Sequence, residues 1–180
     1  SGAVFCAALL SGCSLDYGTA LADDLAEDVP DTVVFDFSHT VVENGSPRFR
    51  LEADRGESYQ AKKTMKLTGI RFTEYAADGS GVSARGNADL AVFHTDTESA
   101  ELSGAVSFRS EGDGVTVESG YLRWDGEARV LSSRAETVTT LSDDDGTSLT
   151  GSGFGADAAR RTFSFGNRAD GRFVAPEKAE

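Results

Sequence analysis

Thr64-Met65-Lys66-Leu67-Thr68-Gly69-Ile70-Arg71-Phe72 and Leu102-Ser103-Gly104-Ala105-Val106-Ser107-Phe108 decide the fold of this chain. In the first stretch apolar residues alternate as far as Leu67, Gly69 intervenes, and Ile70 and Phe72 resume on the other parity. Alternation is the mark of a half-buried strand, and a glycine that breaks its parity predicts a bulge or bend that re-aims the face. The second stretch repeats the device, with Leu102 thirty-five residues after Leu67.

Working outward, each such strand is followed by an acidic or glycine-containing turn and another alternating run. These runs begin at Gly81-Val82-Ser83-Ala84, Gly114-Val115-Thr116-Val117 and Gly146-Thr147-Ser148-Leu149, the last after Thr137-Val138-Thr139-Thr140-Leu141. Upstream, Thr32-Val33-Val34-Phe35-Asp36-Phe37 and Phe49-Arg50-Leu51-Glu52-Ala53 flank the turn residues Glu43-Asn44-Gly45-Ser46-Pro47 and read as a hairpin. No apolar stripe of helical period is long enough for a core helix, so the chain is all-β from Thr32 onward. Stacked repeats of hairpins and a non-repetitive antiparallel sandwich both fit the spacing. The expected inward residues are Ile70, Phe72, Val106, Phe108, Val115, Val117, Leu122, Trp124, Val138, Leu149, Phe154, Phe163 and Phe165.

The 180 residues are enough for one domain that folds without a disulfide or metal. Seventeen Lys and Arg against 30 Asp and Glu leave a net charge of −13, which argues against a nucleic-acid partner, whose phosphates need a basic footprint. Eight of the acidic residues, and no Lys or Arg, fall between Cys13 and Pro47. Leu15 to Asp31 has too few large apolar residues to offset its ordering entropy and reads as a linker, with one short solvated helix over Ala20–Asp28 as the alternative.

Ahead of that linker Ala3 to Leu10 is an uncharged apolar run, shorter than the roughly 20 residues of a membrane span but suited to the end of a signal peptide. Leu10-Ser11-Gly12-Cys13 resembles the lipobox of bacterial lipoproteins, in which the cysteine becomes the lipidated first residue. Ser1 in place of Met and the lack of a basic segment before the run predict a truncated or mis-started sequence. The bland alternative is an apolar N-terminal strand with two ordinary core cysteines.

Catalytic and metal-binding patterns are weak. His39 and His94 each stand alone, without a second ligand at a metal-binding spacing. Gly151-Ser152-Gly153-Phe154-Gly155-Ala156 matches a dinucleotide fingerprint literally but lacks the strand–turn–helix context it needs, so bends explain it better. Asp143-Asp144-Asp145-Gly146 lacks the alternating ligands of a calcium loop and reads as a hairpin turn. The sequence therefore calls for no enzyme activity, no metal and no cofactor, although a glycosidase pair among 30 carboxylates is not excluded.

The lipobox, the acidic linker and the hairpin domain together resemble the LptC family of periplasmic lipopolysaccharide-export proteins. The resemblance runs from about Asp31 to Phe165, through Asp31-Thr32-Val33-Val34-Phe35, Gly45-Ser46-Pro47-Arg48-Phe49-Arg50-Leu51-Glu52-Ala53, Tyr59, Leu67 to Tyr75, Asp78-Gly79, Leu102 to Val106 and Gly146 to Gly153. It implies a twisted, partly open β-jellyroll whose apolar trough holds the acyl chains of lipopolysaccharide or lipooligosaccharide. Partners would be LptF/LptG-like subunits of an inner-membrane ABC transporter and an LptA-like protein, joined through open sheet edges.

The expected trough residues are Ile70, Phe72, Val106, Phe108, Leu122, Trp124, Val138 and Phe154. Many members of the family hold on by an N-terminal transmembrane helix. Lipidated Cys13 would replace it here and anchor the protein to the inner membrane in the periplasm. The expected layout is a signal peptide over 1–12, the lipidated cysteine and acidic linker over 13–31, the jellyroll over 32–166 and a polar tail over 167–180. A surface lipoprotein with a carbohydrate- or protein-binding β-sandwich is the competing reading.

Overall fold

The computed structural model describes residues 29–174 except 80, 158 and 161. Twelve strands, all paired antiparallel, form one branched sheet. They are β1 (Thr32–Glu43), β2 (Ser46–Tyr59), β3 (Thr64–Tyr75), β4 (Val82–His94), β5 (Ser99–Ser110), β6 (Val115–Asp125), β7 (Val130–Ser132), β8 (Val138–Asp143), β9 (Ser148–Ser152), β10 (Phe154–Asp157), β11 (Thr162–Phe165) and β12 (Ala169–Arg172). Strands β1 to β6 form a meander joined by tight turns. The first of these is Asn44-Gly45, both residues at positive φ (51° and 80°), the geometry whose twist matches a two-residue hairpin.

The parity breaks in the sequence become a crease across the sheet. Consecutive inward residues lie three apart instead of two at Ala53 and Gly56 in β2, Leu67 and Ile70 in β3, Ala88 and Ala91 in β4, and Ser119 and Leu122 in β6, all of them buried. Asp36 (φ 50°), Gly69 (φ 63°), and Gly104 with Ala105 (φ 69° and 41°) bend β1, β3 and β5 on this line. Gly69 bends β3 without shifting its register on either neighbour. The Gly104 bend does carry an extra residue, because β5 slips against both β4 and β6 there.

An aspartate of the preceding strand packs over each crease glycine. A Cβ on Gly69 would lie 2.7 Å from Asp54 Cγ, and one on Gly104 would lie 2.9 Å from Asp89 Cβ. Glycine is thus required there twice over, by its φ and by the side chain above it. Both the Asp and the Gly recur after thirty-five residues.

The bend lets each long strand contribute to two layers, and at β6 the sheet divides. Val115 to Ser119 pair with β8, which continues to β9 and β12, while Arg123 to Asp125 pair with β7, which continues to β10 and β11. The two branches meet face to face where Gly151 of β9 lies under the Phe165 ring; a Cβ at Gly151 would be 2.7 Å from Phe165 Cδ1. Between the layers Ala53, Leu67, Ile70, Ala88, Ala91, Val106, Val117, Leu122 and Phe154 form the buried core. This is a partly open jellyroll, all-β as the sequence predicts.

Three expectations are corrected or fall outside the description. The sheet does not end at 166, since Ala169–Arg172 of the expected tail pairs with Ser148–Gly151; that short segment has no alternating apolar residues to reveal it. Val138 is 60 % exposed, because β8 turns Thr139 inward instead. Cys13, the signal peptide over 1–12 and the linker or helix through Ala20–Asp28 lie outside the described residues. The Gly151 to Ala156 segment runs from β9 through a bend at Gly153 (φ 65°) into β10, which is not a nucleotide-binding context.

Candidate functional site

An apolar cavity of about 700 Å³ opens between the two layers, inside the usual range of roughly 300–1,000 Å³ for a small-molecule site. Seven of the eight expected trough residues line it: Ile70, Phe72, Val106, Phe108, Leu122, Trp124 and Phe154. Val138 does not, for the reason given above. Ala84, Leu102, Val117, Leu131, Leu141, Ala156 and Phe163 complete the apolar wall. Leu131 and Ala156 sit on strands too short to show alternation, so periodicity could not single them out.

Phe49, Phe72 and Phe108 form a stepped stack, with ring centroids 6.0 Å and 5.8 Å apart. The second step crosses a whole strand, since Phe72 is on β3, Phe108 on β5, and β4 runs between them. Gly86 makes this possible. It is the β4 residue in register with both Phe72 and Phe108, and the Phe72 ring occupies the space its side chain would fill. A glycine within an alternating strand signals such a close approach, and the sequence reading passed over this one.

The polar part of the wall is uneven. Glu74, Ser83, Ser110 and Asp113 cluster where the β3–β4 and β5–β6 turns close one end, and Asp157 and Thr162 lie on the β10–β11 hairpin. Among the described residues no Lys or Arg lines the cavity. The arginines of β3, β4 and β5 instead form ion pairs. Arg71 bonds Asp54 at 3.2 Å, Arg85 bonds Glu111 at 3.1 Å, and Arg109 bonds Glu111 and Asp144 at 3.2 and 3.0 Å. Hydrogen bonds from Arg109 hold the Asp144 carboxyl below its ordinary range.

Burial, with a hydrogen bond to Glu101 at 2.8 Å, raises the Tyr121 phenol, while the Arg134 guanidinium lies 3.8 Å over its ring on the outer surface. Neither expected lone histidine has a metal-binding partner set. His39 is exposed, His94 faces Glu101 at 4.0 Å, and no group of metal-ligating side chains occurs among the described residues.

The sheet leaves open edges. β1 pairs only with β2, β11 only with β10, and β12 only with β9. β1 exposes Val33, Val34, Phe35, Val41 and Val42, with Phe35 69 % exposed under the Arg55 guanidinium. Among the described residues no helix is long and apolar enough to cross a membrane. What this arrangement offers chemically is an apolar slot between the layers whose polar end carries the hydrogen-bonded pair Ser110 and Asp113. In comparisons with known proteins, the family model described as lipopolysaccharide-assembly, LptC-related, matches residues 3–173. No curated protein matches the chain.

Proposed function

The chain belongs to the LptC family and so has a role in lipopolysaccharide transport; from that premise we propose that its cavity holds the acyl chains of lipopolysaccharide or lipooligosaccharide during export. The observation that carries the reading is the apolar slot of about 700 Å³ between the layers, lined by Ile70, Phe72, Val106, Phe108, Leu122, Trp124 and Phe154. Burying an acyl chain against such a wall contributes roughly 25 cal/mol per Å² of apolar surface removed from water. That force is non-directional, which suits a cargo that must slide.

In this reading the open edges at β1, β11 and β12 add strands to neighbouring β-jellyroll domains, namely LptF/LptG-like transporter subunits on one side and an LptA-like protein on the other. Main-chain pairing supplies the affinity. The transporter supplies the energy, and the role asks no catalytic group of this chain. Lipidated Cys13, after removal of residues 1–12, tethers the domain to the periplasmic face of the inner membrane, with the acidic stretch over 13–31 as spacer. Its like charges keep it extended and away from anionic headgroups.

Photocrosslinking residues at positions 72 and 108 should capture glycolipid in cells. Arg71, whose side chain is 57 % exposed, is the outward control. Capture at 71 with none at 72 or 108 refutes the trough. Depletion should leave glycolipid in the inner membrane; unimpaired export would instead favour a surface-binding lipoprotein.

A further inference from the structure

The polar end of the cavity has an internal cause. The pairing of β3 with β4 slips between Glu74 and Tyr75, which pair with Ala84 and Val82, so Ser83 is an extra residue bulged out of β4. Bulges re-aim side chains. Here the bulge brings Ser83 into the cavity wall, while its carbonyl accepts the Glu111 N–H at 2.9 Å. The Ser83 hydroxyl is the one buried side-chain oxygen or nitrogen among the described residues without a hydrogen-bond partner. Native folds keep few such orphans, and one in a ligand cavity calls for an explanation.

Its neighbours point the same way. Glu74, Ala84 and Ser110 stand in one row across β3, β4 and β5. Ser110 Oγ donates to Asp113 Oδ2 at 2.8 Å and accepts from the Asp113 N–H at 3.4 Å. The rim thus presents hydroxyls and carboxylates, and the described lining contains no cation to meet a phosphate.

Resting on the trough reading, we propose that the Glu74–Ser83–Ser110–Asp113 end is a subsite for an uncharged O–H or N–H group borne near the head of an acyl chain, and that it keeps phosphate out of the cavity. As it stands the Ser83 oxygen is buried in the wall; a rotation about χ1 would turn it into the slot, where a hydroxyl both donates and accepts, while the two carboxylates accept only. A phosphate there meets like charges beside an apolar wall, an unfavourable arrangement that discriminates without any added contact. The subsite also sets a direction, with the polar head at the β3–β4 turn and the chain running towards Leu131 and Phe154.

Trp124 is the only tryptophan and lines the cavity, so its fluorescence reports occupancy in the full chain. The probes are dodecanamide, 3-hydroxydodecanamide and dodecyl phosphate, used below their micellar concentrations. The hydroxylated amide should bind about five-fold more tightly than the plain one, the worth of one neutral hydrogen bond, and the phosphate about ten-fold more weakly. Ser83→Ala should erase the preference for the hydroxyl and leave dodecanamide binding within about two-fold. Glu74→Gln combined with Asp113→Asn should narrow the gap to the phosphate.

Equal binding of the two amides, an equal loss of both in Ser83→Ala, or phosphate binding as tight as amide overturns the subsite. If no probe alters Trp124 fluorescence, the trough reading itself falls and takes the subsite with it. The Ser83→Ala protein removes only an unpartnered hydroxyl, so its urea midpoint should equal or exceed that of the wild type.

Discussion

Gly86→Ala should damage the cavity and the fold together, by an amount the geometry sets. An added Cβ would lie 2.6 Å from Phe72 Cζ, closer still to Cε1, and 2.9 Å from the Ser107 carbonyl oxygen. Carbon atoms pack best at about 3.5–4.0 Å, so the ring must withdraw by roughly 1 Å or more. Withdrawal strains the packed wall, at about 1–3 kcal/mol for overpacking. It also breaks the 5.8 Å stack on Phe108, and such pairs contribute about 0.5–1.5 kcal/mol.

The expected loss is therefore about 2–4 kcal/mol, short of the roughly 5–15 kcal/mol that unfolds a domain. Urea denaturation followed by Trp124 fluorescence measures it. The decisive comparison is a double-mutant cycle with Phe72→Ala. Without the ring, Gly86→Ala should retain only the cost of the Ser107 contact, giving a coupling of at least about 1 kcal/mol. A coupling under about 0.5 kcal/mol would show that Gly86 does not hold the place of the Phe72 ring and would refute the reasoning.

Other perturbations test the remaining supports. Thr139 is fully buried, and its hydroxyl meets Ser119 Oγ at 3.0 Å while Ser119 Oγ donates to the Tyr121 carbonyl; Thr139→Val should cost about 1–2 kcal/mol in urea denaturation. Gly104→Ala should cost more than about 1 kcal/mol through its φ of 69° and the Asp89 side chain; with Asp89→Ala as well, only the backbone part should remain. Asp144 titrates below its ordinary value because Arg109 hydrogen-bonds its charged form. The stability it contributes is present above the unfolded carboxylate pKa and lost as pH falls through the folded one. The urea midpoint should accordingly fall less steeply with acid in Asp144→Asn than in the wild type, and parallel profiles would count against the pairing.

Much of the architecture was legible because strand alternation is a local property with a period of two residues. Ile70, Phe72, Val106, Phe108, Leu122, Trp124 and Phe154 sit on alternating runs or at glycine breaks, and all seven line the cavity. Val138 failed because the run Thr137 to Leu141 is β-branched on both parities, so composition could not choose a face. Packing chose Thr139, which has a buried hydroxyl partner. The strand Ala169–Arg172 was illegible for a related reason, as its four residues are exposed and carry no apolar alternation to mark it.

By itself the sequence determined the long alternating strands, the turns between them and the glycines at which the inward parity changes, because each depends on a few adjacent residues. It also placed eight negative charges and no positive one in the stretch between Cys13 and Pro47. Only the tertiary structure decided that the parity changes align into one crease, that β6 divides the sheet into two branches, and that Phe72 reaches Phe108 over Gly86. The bulge at Ser83 and the cation-free cavity lining belong to the same class. These features depend on strand register, which is set by pairings between residues distant in the chain and cannot be read from any one segment.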